Sequence, residues 1–220
     1  MARSIPFSGH SEPPGRALAE KQERPYVYLA GPDVFFADAM ERAATMKAAL
    51  AARNMTGLFP LDSEFDLAGF SDRESLGLAI ARANEAFMRK ADIGLANIQP
   101  WRGVEADDGT SYEIGVMSAL GKIIVLYTND RRPFFERIVN DVYRGDVQQD
   151  GSIKRGASDR MMIEEFDGFA DNLMLVNAAT ASAERATGEK FDPAAIVQFG
   201  FEAAADFAKR LWDAAYAARS

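Results

Sequence analysis

Apolar residues recur along this chain in two alternating patterns. Contiguous runs, Tyr26-Val27-Tyr28-Leu29-Ala30, Ile93 to Ile98 and Ile123-Ile124-Val125-Leu126-Tyr127, read as buried strands, and Gly57-Leu58-Phe59-Pro60 as a weaker one. Between them the apolar positions fall three and four apart, as on the inner face of a helix. Met40, Ala43, Met46 and Leu50 form one such stripe, and Leu76, Ile80, Ala83 and Phe87 form another, with Ser71 or Asp72 as its cap. A further helix runs through Met117 and Leu120 to Gly121. Asp192-Pro193 predicts the start of a last helix, carrying Ile196, Phe199, Ala203, Phe207 and Leu211. Alternation of this kind predicts an α/β fold with right-handed crossovers: a doubly wound, flavodoxin/Rossmann-like parallel sheet of about five strands with flanking helices. Ligands on such sheets bind at the carboxyl ends of the strands, so the loops after Ala30, Ile98 and Phe59 are expected to share one crevice.

Residues 1–24 lack periodicity and contain the Pro13-Pro14-Gly15 break, which predicts a loosely ordered arm before a single domain over 25–220. Within that domain, residues 129–170 read as a polar, glycine-broken insertion.

Composition narrows the chemistry. The 220 residues, 48% hydrophobic, suffice for one substantial core. The absence of cysteine excludes disulfides, thiolate metal sites and cysteine nucleophiles, and fits a reducing, cytoplasmic setting. One histidine, His10 in the arm, leaves acid–base work to carboxylates and predicts no metal site. A formal charge of −8 without a basic stripe argues against nucleic acid, and no apolar run reaches membrane-spanning length.

Those carboxylates concentrate in Asp107-Asp108-Gly109-Thr110-Ser111-Tyr112-Glu113-Ile114-Gly115, which places three acids within seven residues at the start of a predicted helix. Two readings compete here. Asp108-Gly109-Thr110 is turn chemistry, and Thr110 with Glu113 has the spacing of a capping box. Equally, acids packed this closely do chemistry or bind a cation.

The order of several segments weighs toward chemistry. Tyr28-Leu29-Ala30-Gly31-Pro32-Asp33-Val34-Phe35, Ala91-Asp92 through Asn97-Ile98 to Arg102-Gly103, the acidic run, Ala119-Leu120-Gly121-Lys122 and Asp171-Asn172-Leu173-Met174 together resemble the nucleoside 2-deoxyribosyltransferase family. The resemblance implies Glu113 as nucleophile, Asp107 as a carboxylate contacting the nucleobase, and Tyr28 as the hydroxyl that orients Glu113. Gly31, Asp33, Phe35, Asn84, Asp92 and Gly109 become substrate-binding positions, although Asp92 and Asn97 bracket a strand and suit structural roles equally well. Asn172 and Met174 match residues that a neighbouring subunit supplies, which implies a homo-oligomer with these two acting in trans. Asn84 departs from the compact members, which carry a second aspartate there; an amide accepts and donates hydrogen bonds but transfers no proton. Phe35, Phe36 and Trp101 are further candidates to wall the base.

The implied reaction exchanges nucleobases on 2′-deoxyribonucleosides through a covalent deoxyribosyl-glutamate, with no cofactor, and with deoxynucleoside and free base as the partners. An alternative is hydrolysis of deoxynucleoside 5′-monophosphates, with Gly109-Thr110-Ser111 cradling the phosphate. A ligand sensor on the same fold is a third.

Overall fold

The computed structural model describes residues 24–63, 69–142, 152–155, 159–162 and 168–217. The predicted arm, apart from Arg24, lies outside the described residues, and His10 with it. In chain order the elements are β1 (Tyr26–Ala30), α1 (Ala39–Ala51), β2 (Thr56–Leu58), α2 (Arg73–Lys90), β3 (Ile93–Asn97), α3 (Asp108–Ala119) and β4 (Ile123–Thr128), then α4 (Phe134–Arg137), β5 (Ser152–Arg155), β6 (Asp159–Met162), α5 (Leu173–Thr187), β7 (Gln198–Phe199) and α6 (Phe201–Ala217). The main sheet has five strands in the order β2-β1-β3-β4-β7, and every pairing in it is parallel. β5 and β6 form a separate antiparallel hairpin.

Strand order fixes where a ligand can sit. The chain passes from β1 outward to β2 and then returns across β1 to β3, so the switch in direction falls between β1 and β3. Register then sorts the side chains. Tyr28 is level with Gly94, and Asn97 is level with Tyr127; Gly94 and Asn97 are an odd number of residues apart, so the two pairs face opposite sides of the sheet. Gly94 faces α3, because a Cβ there would meet Met117 Sδ at 2.8 Å. Tyr28 therefore belongs to the α3 face. Tyr127 packs edge-on against Phe201 of α6, so Asn97 and Tyr127 belong to the α1 and α6 face.

β7 is too short to pair with the beginning of β4. Ser182 of α5 stands in for it, its hydroxyl accepting from Ile124 N at 2.9 Å and lying 3.2 Å from Ile124 O. Two buried backbone groups are satisfied by one side chain.

Four local expectations are corrected. Met40 is 57% exposed, and Ala39 takes its place beside Ala43, Met46 and Leu50 on the buried face of α1. Phe59-Pro60 leaves the second strand for a short turn, since proline has no N–H to give a ladder. Asp92 is placed at the amino-terminal edge of the sheet, where its carboxylate accepts from Tyr26 N at 2.9 Å, the opposite end from the crevice. The last helix starts at Phe201, not at Asp192-Pro193. Asp192 caps only a single turn, accepting from Ala194 N at 3.0 Å; the buried pair Ile196-Val197 then leads into β7, and Gly200, at φ 88°, breaks the strand before α6. Phe199 and Ala203 are consequently exposed, while Phe207 and Leu211 are buried as expected.

Candidate active site

Glu113 reaches its position because α3 starts earlier than its turn-like sequence suggests. Asp107 is the N-cap, its carboxylate accepting from Thr110 N at 3.2 Å and its carbonyl oxygen accepting from Ser111 N at 2.9 Å and Ser111 Oγ at 3.1 Å. Asp108, Gly109 and Thr110 are the first turn of the helix, not a loop before it. Glu113 thus lies nearly two turns in, beyond reach of the free amides, and the capping box expected between Thr110 and Glu113 does not form. A Cβ on Gly109 would meet the Asp107 carboxylate at 3.0 Å, so the small residue there keeps the cap in place.

Instead, the Glu113 carboxylate turns onto the sheet. Tyr28 Oη donates to Glu113 Oε1 at 2.5 Å, across 85 positions of sequence. Tyr28 is fully buried. Burial raises its phenol well above the ordinary range, with the Glu113 charge and hydrogen bond adding to the effect, so Tyr28 keeps its proton and acts as a donor. Glu113 is pushed up to about 7, chiefly by burial, with the Tyr28 hydrogen bond opposing and the Asp107 charge adding. A carboxylate held near neutrality at the mouth of a sheet switch suits chemistry better than scaffolding.

The remaining predicted positions divide. Asn84 sits on α2 in step with Ile80 and the buried Met88, and its Oδ1 is buried with no hydrogen-bond partner among the described residues. Phe35 is 52% exposed and stacks on Trp101, with ring centroids 5.4 Å apart and planes 14° apart. Gly31 adopts φ 150°, and a Cβ there would lie 2.7 Å from the Asn97 Cβ, so it permits the close approach of β1 to β3. Asp33 is not with Glu113. Its carboxylate accepts from Asn97 Nδ2 at 2.8 Å and meets Arg42 at 3.4 Å on the opposite face of the sheet. Asn172 caps α5, accepting from Met174 N at 2.9 Å, and Met174 is 67% exposed. Both line a cavity of about 370 Å³ beside Asp108 and Ser111 of α3, with Asp171 behind them.

One pair has no forerunner in the sequence reading. Arg137 and Asp171 are 1% and 2% exposed and meet at 3.2 Å. The guanidinium donates to Val104 O at 3.0 Å, Arg132 O at 2.9 Å and Ala170 O at 2.8 Å, while Asp171 accepts from Asn172 N at 2.8 Å. Asp171 is raised to about 6, first by burial, against the Asn172 amide, the Arg137 charge and the Ala106 amide. Three loops at the carboxyl edge are thereby tied together, including the one that delivers Asp107. The signal was a lone arginine inside the apolar run Phe134-Phe135-Glu136-Arg137-Ile138-Val139. Among the described residues no group of three or more His, Cys, Asp or Glu is arranged to hold a metal ion, and no helix is long and apolar enough to cross a membrane.

Comparison with known proteins points to the same fold. The family model for nucleoside 2-deoxyribosyltransferase matches residues 27–174, which include Tyr28, Asp107 and Glu113. An uncharacterized protein of Schizosaccharomyces pombe is 28% identical over 165 residues, covering 71% of this chain and 77% of that protein. Among solved structures, a 2-desoxiribosyltransferase from Leishmania mexicana superposes with a TM-score of 0.56 at 24% identity, over 84% of this chain and 97% of its own. A conserved protein from Enterococcus faecalis gives a TM-score of 0.50 at 17% identity, over 85% and 98%. These superpositions establish the shared fold.

Proposed function

The chain belongs to the nucleoside 2-deoxyribosyltransferase family, and we propose that it exchanges nucleobases on 2′-deoxyribonucleosides by two successive displacements at Glu113. The observation that carries this reading is the Tyr28–Glu113 hydrogen bond, which turns the acid away from the helix amides and toward the crevice.

In the first step a Glu113 oxygen attacks C1′ as the C1′–N bond breaks, and the departing base takes a proton with Asp107 as the contact. In the second, a ring nitrogen of the incoming base attacks C1′, the C1′–O bond to Glu113 breaks, and the proton lost by that nitrogen returns through Asp107. Two inversions retain the anomer. Positive charge develops on the sugar in each step, and the nearby carboxylate stabilises it electrostatically. Tyr28 orients the nucleophile and, by donating to the charged form, favours the carboxylate over the acid. Asn84, standing where the compact members carry an aspartate, has an amide that transfers no proton to the base. Asn172 and the exposed Met174 would close the sugar end from a neighbouring copy.

Hydrolysis of monophosphates is the weaker reading. Two of the amides that would cradle a phosphate, Thr110 N and Ser111 N, are held by Asp107 itself, and Glu105, Asp108 and Asp171 line the adjoining cavity, a poor cradle for phosphate. The test is to incubate the protein with deoxyinosine plus adenine, with deoxyinosine alone, and with the 5′-monophosphates, following products by chromatography. Formation of deoxyadenosine is expected. Cleavage confined to monophosphates would replace transfer with hydrolysis, and no turnover by folded protein would favour a sensor.

A further inference from the structure

A cavity of about 430 Å³ opens on the sheet face opposite Glu113, within the range of about 300–1,000 Å³ usual for small-ligand sites. Asp33, Asn97 and Tyr127 floor it, and Phe36 and Trp101 wall it. The two rings meet edge-on with centroids 5.4 Å apart.

Three observations select the ligand. The lining carries the carboxylates Asp33, Asp38, Glu41 and Glu202 against the single cation Arg42, which disfavours an anion. Arg42 is already engaged, by Asp38 at 2.9 Å, by Asp33 at 3.4 Å and over the Phe36 ring at 4.1 Å, so the place a cationic ligand would take is filled from within. Finally, one donor on the floor lacks a good acceptor: the Tyr127 hydroxyl meets only the thioether of Met46, at 3.9 Å. An ammonium ligand would add only donors, whereas a neutral heterocycle supplies lone pairs. Amides are also held in fixed orientation along the rim: Asn97 Oδ1 accepts from Gln99 N at 3.0 Å, and Asn129 Nδ2 donates to Gln99 Oε1 at 3.2 Å.

We propose that this cavity is a second nucleobase site, which takes a neutral planar nitrogen heterocycle against the Trp101 ring with an acceptor atom toward Tyr127, and lies across the sheet from the Glu113 crevice. The proposal rests on the base-exchange reading above, since an enzyme that handles free bases meets them in solution. Its position links it to that crevice. The single turn Pro32–Phe35 carries Asp33 into this cavity, and Phe35 stacks on the same Trp101 that walls it.

The test is calorimetric titration of full-length Glu113→Ala with hypoxanthine, repeated in Thr45→Phe and Tyr127→Phe backgrounds. Thr45 lines the cavity from the exposed side of α1, so a phenyl ring there fills the space without touching the core. A binding event lost in Thr45→Phe and weakened on the order of tenfold in Tyr127→Phe, as loss of one hydrogen bond implies, is expected. Circular dichroism confirms that each variant is folded. Hypoxanthine binding that is unchanged in folded Thr45→Phe, or a cavity that takes benzyltrimethylammonium in preference to the base, would overturn the proposal. Turnover of deoxyinosine by the unsubstituted chain is read separately. A cavity that binds base in a protein without transferase activity would sink the role of Glu113 and leave the second site standing.

Discussion

Two buried acids, Glu113 and Asp171, differ mainly in their company. Burial raises both, to about 7 and about 6. Asp171 faces a guanidinium and backbone amides, so its charge is answered on all sides and the pair holds three loops together. Glu113 faces a neutral phenol, and the nearest charge acting on it is another acid, Asp107. Similar desolvation thus gives a fastener in one place and the proposed nucleophile in the other. What separates them is whether a cation shares the burial.

Five substitutions in four experiments test this contrast, beginning with the largest effect. Glu113→Gln is expected to abolish transfer, measured by chromatography, while leaving the fold intact. It should also raise the melting temperature at pH 8. A carboxyl whose folded pKa is raised from 4.5 to about 7 loses stability as pH climbs through that window, so the gain on substitution shrinks to nothing below about pH 4.5. Residual transfer, or a gain independent of pH, would remove the nucleophile assignment.

Asp107→Asn keeps a capping side chain but removes the charge and the proton contact. A fall in rate on the order of 10²–10⁴ is expected with little change in stability. The acid limb of the kcat/KM profile, set near 7 by Glu113 and rising with pH, should move down because the neighbouring negative charge is gone. A limb that stays in place would separate the two acids.

Arg137→Met leaves Asp171 buried without its cation and should cost about 3–5 kcal/mol in urea unfolding. Adding Asp171→Leu should recover much of that loss. If the double variant is no better than the single, the pair does more than answer its own charge.

Tyr28→Phe is the mildest change. It removes the hydrogen bond that favours the Glu113 carboxylate, so the acid limb should move up, opposite to Asp107→Asn. The same direction from both variants would mean that the limb reports another group.

Much of this fold was legible because apolar runs and stripes demand burial wherever they occur. The strands β1, β3 and β4 and the helices between them follow from that demand. The last helix misled because Asp192-Pro193 does start a turn, yet Ile196-Val197 gains more as an edge strand beside β4 than as a helix face. At the site, Glu113 was legible through motif order, while its partner distance was not. Asp33 was assigned to the crevice through the family-like segment it shares with Tyr28, but strand alternation and the turn at Gly31 carry it to the other face. The Arg137–Asp171 pairing was not legible because its members are 34 residues apart, although a lone arginine in an apolar run and the motif position of Asp171 each marked one member.

Gly31 has a bearing on how this enzyme could be altered. With φ 150° and the Asn97 Cβ 2.7 Å from where its own would stand, position 31 tolerates no side chain without parting β1 from β3. Libraries selected for new base preference should therefore accumulate changes at exposed Phe35 and Phe36 and return position 31 blank. The blank would mark the pivot about which both faces of the sheet are held in step.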